Sequence, residues 1–473
     1  MLNEASRETT TLAGRLEALV GSDRVSLGSE AAIHGMRAPV GVRPADDQQL
    51  GKVLALADSE GLAACITGGA TKLDWGNRPD RFDLLINTGD MRGFSDVDAD
   101  NLSLSVAAGT PVAEVRAKAR AMDRLLPLDP SRPSAATVGG VTATGDQGAR
   151  GAGYGGLRDV VLGLRAVLAD GSSVRFGGRT MKNVTGYDMT KLFIGSFGVL
   201  GVITEVTYRL LPRPETQALI AVPLASLDHG KDIVAQILDS YLQPLALEVI
   251  SSGFAHLAGV AAWAGLAGAA GAVPSDDAAP SAAADLIPGD GYLLLAGFAG
   301  HRAAVSRSVA EVRERSGVPS AAILEDVEAE SFFEALSETG VGAAESGPSL
   351  TARSTVPIGS VWELARTAES RAGAIGAPLG LRIGASRGTL DLHMGEGKSH
   401  GSDRGSLTTC MTDLRREAVA MGGQFTVTRG LAMLSPHFDA WGDPDAAVQL
   451  MKRVKERFDP HRVLNPGRFV GGI

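Results

Sequence analysis

The stretch from Thr180 to Leu211, TMKNVTGYDMTKLFIGSFGVLGVITEVTYRLL, constrains the fold of this chain more than any other. Lys182-Asn183 reads as a turn and Gly186 as a break. A short helix follows, then a loop punctuated by Gly195, Gly198 and Gly201, then an alternating strand from Val202 to Leu210. Glycines at a regular spacing on a loop facing a strand let backbone approach something flat or phosphorylated closely. Glycine-rich turns between helix and strand are also common for packing reasons alone. By itself, the segment specifies a closely packed loop.

Two upstream segments narrow the reading. Ala64 to Thr67 reads as a short strand running into Gly68-Gly69-Ala70-Thr71-Lys72-Leu73-Asp74-Trp75-Gly76. Consecutive N–H groups on such a small-residue loop form a concave nest suited to a pyrophosphate. Leu128 to Arg150, LDPSRPSAATVGGVTATGDQGAR, sets Gly139 and Gly140 in a hydroxyl-rich run. In this order the three segments resemble the flavin domain of the vanillyl-alcohol-oxidase/PCMH family of FAD-linked oxidases. That family shows a GGGTK-like pyrophosphate loop, an ATxGGxxAtn-like segment and a GSxGxLGVITEV-like segment. The closing FDPHRVLNPGRF, Phe458 to Phe469, resembles the family's FDPxxxLNPG tail. Within the family, MKNVTGYD and GGQFTVTRG (Gly422 to Gly430) look most like the smaller flavin subunit of bacterial glycolate oxidase.

The resemblance implies an α+β fold: a PCMH-type two-lobed FAD-binding domain over residues 1–215, an α+β cap domain over 216–430, and a segment 431–473 that returns to the flavin domain. It implies that Thr67, Gly68, Gly69, Ala70, Thr71, Lys72 and Leu73 hold the pyrophosphate of FAD. Pro130, Ala136, Thr137, Gly139, Gly140, Thr144 and Gly145 would line the cofactor, with Gly201, Val202 and Ile203 on its adenine side. Each glycine also reads as a tight turn, which is compatible with that role. Relatives that attach FAD covalently through this loop carry a histidine on it. None stands here, so attachment is expected to be non-covalent.

Other signals exclude alternatives. Gly151-Ala152-Gly153-Tyr154-Gly155-Gly156 satisfies GxGxxG, but that fingerprint needs a strand before it and a helix after it. Here LRDVVLGLRAVLADGSSVRFGG follows, an alternating hairpin around Asp170-Gly171. No GxxxxGK[ST] loop occurs, because Leu392 stands where the first glycine before Gly397-Lys398-Ser399 would be. A net charge of −9 argues against a nucleic-acid partner. Cys65 and Cys410 make neither a disulfide framework nor an iron–sulfur motif, and Cys65 reads as a packing residue. The polar, mixed-charge start, MLNEASRETTTLAGRLEALVG, is unlike a secretory signal. A cytoplasmic protein is expected, with at most a peripheral place at the inner membrane through partners. Val249 to Ser275 has no charged residue, yet it is mostly small residues and runs into a Pro/Ser/Asp/Ala tract. A buried strand and helix followed by a loop suits it better than a membrane span.

Along the chain, Val40 to Thr67 reads as strand, Pro44 break, Asp46/Asp47 cap, helix through Leu50, Val53, Leu54 and Ala57, Gly61 stop, then strand. Leu84 to Ile86 and Leu102 to Val106 are expected strands around an acidic loop, Ser95 to Asp100. Thr110-Pro111 reads as a helix start with a hydroxyl cap. Pro212-Arg213-Pro214 marks a boundary. Beyond it, helices near Leu227–Leu238, Arg302–Arg315 and Val361–Ala372 alternate with strand-like runs at Tyr292–Leu295 and Leu390–His393, suiting an antiparallel sheet with helices on one face. Ala264 to Gly289 is low in large apolar side chains and is expected to be a mobile loop.

Oxidising a 2-hydroxy acid needs a cation for the carboxylate and an acceptor for the hydroxyl proton. Arg353, Arg382 and Arg429 are candidate cations, and salt-bridged arginine is the plainer role for Arg382. His393-Met-Gly395-Glu-Gly397-Lys-Ser-His400 is spaced like the HxGDGNxH metal motif of D-lactate and D-2-hydroxyglutarate dehydrogenases. Lys398 replaces a neutral residue, and Thr428-Arg429 falls where that family's Glu-His pair would be, which opposes a cation. No metal is therefore assigned, and His393 reads as a proton acceptor or a strand-end histidine. The expected function is an FAD-dependent dehydrogenase subunit for glycolate or a D-lactate-like acid. By resemblance, an iron–sulfur subunit and a paralogous flavin subunit would be its partners. The alternatives are a non-catalytic flavin relay subunit and a stand-alone metal-dependent dehydrogenase.

Overall fold

A computed structural model describes residues 4–179, 187–258, 291–338, 349–395 and 404–473. The Lys182-Asn183 turn, Gly186, the Ala264–Gly289 tract, Lys398 and His400 lie outside the described residues. The chain divides into one unit of Met1–Gln147, Gly155–Arg213 and Asp443–Ile473, and a second of Gly148–Tyr154 and Pro214–Gly442. The second unit runs past the expected 430 because Leu431, Leu434 and Ala440 stay in its core.

In the first unit, the strands Val25–Leu27, Val40–Val42, Leu84–Asn87 and Ala64–Thr67 form a mixed sheet in that order. Its last two neighbouring pairs are parallel, and the helix Asp47–Glu60 supplies a crossover. Asp46 caps that helix by accepting from the Gln49 N–H at 2.8 Å, and Gly61 ends it at φ 64°. Leu50, Val53, Leu54 and Ala57 bury one helical stripe against Val40, Val42, Leu84 and Ile86. Each of the large side chains contributes about 1.5–3 kcal/mol of gross burial. A second, antiparallel sheet runs Phe94–Asp98, Ser103–Ala107, Val202–Arg209, Val161–Val167, Ser173–Gly177.

Three local expectations change here. The acidic segment is an edge strand, Phe94–Asp98, because none of its side chains needs full burial and its backbone pairs with Ser103–Ala107. Helix Val112–Ala121 begins with Pro111 as its cap, and the Thr110 hydroxyl instead accepts from the Gly93 N–H at 3.0 Å. Val202–Arg209 is buried at most positions rather than alternately, with Val202 in one core and Ile203, Val206 and Tyr208 in another. The GxGxxG stretch is a single helical turn, Gly151–Tyr154, and a hairpin follows at Val161–Val167 and Ser173–Gly177. Cys65 is buried on its strand, and burial pushes its thiol up to about 12.

The second unit is built on an eight-stranded antiparallel sheet. Its order is Ala322–Glu325, Thr216–Leu224, Tyr292–Gly300, Ala246–Ser251, Leu379–Gly384, Thr389–Gly395, Ser349–Thr355 and Gln424–Arg429. Strand periodicity sends alternate side chains to opposite faces. Ile220 and Val222 join Leu294, Leu381, Leu392 and Val427 under the helices Leu227–Leu238, Arg302–Ser316, Val361–Ala374 and Arg404–Ala420. Leu219, Ala221, Leu293 and Leu295 point the other way, under Phe254 of Ser252–Ala258 and Phe332, Phe333 and Leu336 of Asp326–Glu338. Helices therefore cover both faces, not one, because the first strands are apolar at odd and even positions alike. Toward the other end of the sheet this second face turns polar. No helix of the described residues is long and apolar enough to cross a membrane.

Candidate functional site

The first unit holds a cleft of about 700 Å³, measured as space between atoms and partly open to solvent. Its floor is the loop that leaves strand Ala64–Thr67. Packing dictates the two glycines: a Cβ on Gly69 would sit 1.7 Å from the Ala135 carbonyl oxygen, and one on Gly68 2.2 Å from Thr137 Oγ1. Ala70 takes a left-handed φ of 56°. Lys72 is buried and points its Nζ to Asp146 at 3.2 Å and to the Ser131 carbonyl at 3.3 Å.

Thr137 stands at the start of helix Val138–Thr144, yet its hydroxyl caps nothing. Thr137 Oγ1 and Thr67 Oγ1 are both buried without a hydrogen-bond partner among the described residues. Buried hydroxyls of that kind are normally satisfied, so a cleft lined by them calls for a polar ligand. The small-residue floor, the orphaned hydroxyls and the volume fit a dinucleotide cofactor.

Of the residues expected to hold the cofactor, Thr67 to Leu73, Thr137, Gly139, Gly140, Thr144 and Gly201 to Ile203 line this cleft. Pro130, Ala136 and Gly145 do not. Pro130 is buried behind it. Ala136 is packed in the core with its carbonyl taken by the Val112 N–H, and Gly145 serves as the left-handed stop of the helix at φ 71°.

The tail supplies wall residues that local sequence did not assign. Asn465 accepts from the Ile66 N–H at 3.1 Å and donates to the Phe197 carbonyl at 2.9 Å, joining floor and glycine loop. Arg468 donates to the Leu73 and Trp75 carbonyls, both at 2.6 Å, and lies over the Phe197 ring. Buried Lys455 donates to the Val199 and Leu464 carbonyls at 2.9 Å and pairs with Asp459. The signal was the FDPHRVLNPG motif itself, but nothing local announces that it returns beside Ala64.

The polar face of the second unit is the other candidate. Strand register brings Arg353, Asp391 and Arg382 into one row, and Thr351 and His393 into the next. Arg429 pairs opposite Thr351 across a register shift. Arg353 meets Asp391 at two points, Nε at 2.6 Å and Nη2 at 3.1 Å. Buried Glu248 accepts from Arg382 Nε and Arg387 Nη2, each at 2.9 Å. Thr351 and Thr428 hydroxyls meet at 2.9 Å. Among the described residues, Arg353, Arg382, Arg387 and Arg429 thus share this part of the sheet with the carboxylates of Asp391 and Glu248.

His393 is 9% exposed and makes a T-shaped contact with Phe254, the ring centroids 5.0 Å apart. Burial, joined by the Arg382, Arg353 and Arg429 charges and opposed by Asp391, holds its imidazole down at about 4. It is neutral at physiological pH, and the guanidinium groups around it disfavour a bound cation. Among the described residues no cluster of His, Cys, Asp and Glu could hold a metal ion. Sequence reasoning named Arg353, Arg382, Arg429 and His393 but missed Glu248, Asp391, Arg387 and Phe254. The Asp391/His393 spacing of two on a strand was the available signal.

Comparison with known proteins follows the same division. The FAD binding domain model matches residues 38–177, and the model of the C-terminal domain of FAD linked oxidases matches residues 213–469. Glycolate oxidase subunit GlcD of Bacillus subtilis is 26% identical over 452 residues, spanning 90% of this chain and 88% of that one. A D-lactate dehydrogenase of Archaeoglobus fulgidus is 34% identical over 207 residues, 44% of this chain and 46% of that one. Glycolate oxidase subunit GlcE of Escherichia coli is 36% identical over 157 residues, 33% of this chain and 44% of that one. Substrate-bound p-cresol methylhydroxylase superposes with a TM-score of 0.71 at 17% identity, over 99% of this chain and 97% of that one, which shows a shared fold. With more than half of its length matched by the oxidase model, and a cleft built for a dinucleotide, the chain belongs to the FAD-linked oxidases and is an FAD-dependent oxidoreductase of PCMH-type fold.

Proposed function

We propose that this chain is a dehydrogenase subunit that oxidises a small 2-hydroxy acid, of the glycolate or D-lactate type, and hands the electrons to a partner protein. One observation carries the reading: guanidinium groups ranged beside a neutral, nearly buried imidazole. A desolvated cationic face suits a carboxylate, and an unprotonated imidazole is the form that can take a proton. Relatives named as glycolate oxidase subunits and D-lactate dehydrogenase support the same substrate class.

Thr67 to Leu73, with Thr137, Gly139 and Gly140, would hold FAD through backbone N–H groups and the two orphaned hydroxyls. When bound, FAD supplies the two-electron acceptor for the substrate Cα–H. Arg429 would hold the substrate carboxylate. Arg353 and Arg382 are engaged by Asp391 and Glu248 and shape the field. His393 would take the hydroxyl proton as the 2-oxo acid forms. The word subunit in the relatives' names supports an assembly; in this proposal its other members are iron–sulfur and paralogous flavin chains that would carry electrons onward, with any membrane association peripheral and through them.

The test is anaerobic mixing of the purified holo-protein with glycolate or D-lactate. Bleaching of the oxidised flavin band by the lone chain is expected. Flavin that stays oxidised until a paralogous flavin chain is added would make this chain an electron relay instead.

A further inference from the structure

His393 lies on a central strand, opposite Thr351 on one side and Gly380 on the other. Phe254 packs edge-on against the imidazole. Gly380 bears no side chain because a Cβ there would meet the Phe254 backbone at 2.7 Å. Phe254 thus brings an apolar wall from helix Ser252–Ala258, and among the described residues the charges acting on the imidazole come from the sheet. Asp391 precedes it on its own strand, while Arg353, Arg382 and Arg429 belong to three others. Among the described residues, the other carboxylate on these strands, Glu248, is engaged by Arg382 and Arg387. This arrangement keeps the ring unprotonated, but it also makes the ring a poor base. Any proton it accepts places a cation beside three guanidinium groups in a desolvated site.

We propose that His393 is armed by its substrate: the carboxylate of the 2-hydroxy acid offsets the surrounding guanidinium charges and so turns the imidazole into an effective proton acceptor. This rests on the reading of the polar face as a 2-hydroxy-acid site. In the step itself the hydroxyl O–H breaks and its proton goes to an imidazole nitrogen. Bound FAD would supply the acceptor for the Cα–H with its electron pair and be reduced, and the C–OH would become a carbonyl. A neutral alcohol offers the same two hydrogens but no countercharge. Selectivity for acids therefore lies in the limiting rate as well as in binding. An opposite charge within about 4–6 Å shifts a proton affinity by roughly one to three pK units, and proton transfer follows that affinity.

The experiment uses the holo-protein under anaerobic stopped flow at saturating substrate. Whichever of glycolate and D-lactate reduces the flavin is compared with its neutral diol, ethylene glycol or propane-1,2-diol, with and without added formate. The diol's limiting rate should fall on the order of tenfold or more below the acid's. Formate should restore part of it saturably, and His393→Gln should lose that restoration. The acid limb of the limiting rate should lie at higher pH for the acid than for the diol. Equal limiting rates, with the difference confined to half-saturating concentration, would overturn the arming and leave the 2-hydroxy-acid reading standing. No reduction by either acid would overturn both.

Discussion

Asp391 and Arg353 stand opposite each other on neighbouring antiparallel strands and meet through two hydrogen bonds of 2.6 and 3.1 Å. Burial alone would raise the Asp391 carboxyl, but the Arg353 charge and hydrogen bond, joined by the Arg382 and His393 charges, together override it and hold the group at about 2. The pair therefore fixes one guanidinium in place and leaves a permanent negative charge two residues from His393. That geometry makes the polar face a rigid field rather than a set of loose cations.

The field has a consequence for stability in acid. His393 protonates at about 4 in the folded chain, against an ordinary value of 6.5. A depressed histidine contributes stability above its unfolded value, and that contribution is lost as pH falls from 6.5 through 4. About 2 kcal/mol should be gone by pH 5. Unfolding free energies of the wild type and His393→Gln at pH 7.5 and 5 check this. The wild type should lose about 2 kcal/mol more between those pH values than the variant does.

The flavin should come away from the polypeptide on acid denaturation. The described residues lining the cleft include no histidine, cysteine or tyrosine, and Lys72 is held by Asp146. Yellow colour in the supernatant after acid precipitation is the expected result. Colour that stays with the pellet would refute non-covalent binding.

Gly69→Val should empty the cleft. The reason differs from a clash with phosphate: its Cβ would lie 1.7 Å from the Ala135 carbonyl, so the whole loop must shift off its support. The ratio of flavin to protein absorbance should fall to near zero. Gly14→Ala, where nothing lies within 4 Å, should keep a wild-type ratio.

Asn465→Ala should loosen the same cleft from the tail side. It removes the acceptor for the Ile66 N–H and the donor to the Phe197 carbonyl, at a residue whose φ is 47°. A loss of about 1–3 kcal/mol is expected, read as a lower melting temperature together with a raised FAD dissociation constant.

The cleft was more legible in sequence than the polar face, for a physical reason. Gly68, Gly69 and Thr137 sit in short runs of small residues, so the residues themselves carry the signal even though the groups that exclude a side chain at Gly68 and Gly69 come from Thr137 and Ala135. Asn465 and Arg468 act on Ile66 and Leu73, nearly four hundred residues earlier, through strand pairing that no local pattern encodes. The polar face depends on register. Arg353, Asp391 and Arg382 form a row only because three strands align without a slip, and one residue of slip would turn Asp391 to the apolar side. Thr110 shows the converse: a correct helix start was read with the wrong cap, since its hydroxyl was already claimed by Gly93.

Arg429 is the residue on which the substrate reading turns. It ends the strand Gln424–Arg429, opposite Thr351 and one row from Asp391, and it adds to the field that keeps His393 neutral. A guanidinium there can take a carboxylate at two points and would repel a metal cation. Arg429→Met should therefore abolish or strongly slow substrate-driven flavin reduction, at a cost of roughly 1.5–3 kcal/mol for one charged hydrogen bond. FAD content should not change. Arg429→Lys should recover only part of the rate, because lysine keeps the charge but not the planar fork. Anaerobic reduction traces of the three proteins decide the matter, with the wild type also measured after dialysis against a chelator. Chelator-sensitive wild-type activity, or normal reduction in Arg429→Met, would sink the assignment, because either result would put the substrate's countercharge somewhere other than this side chain.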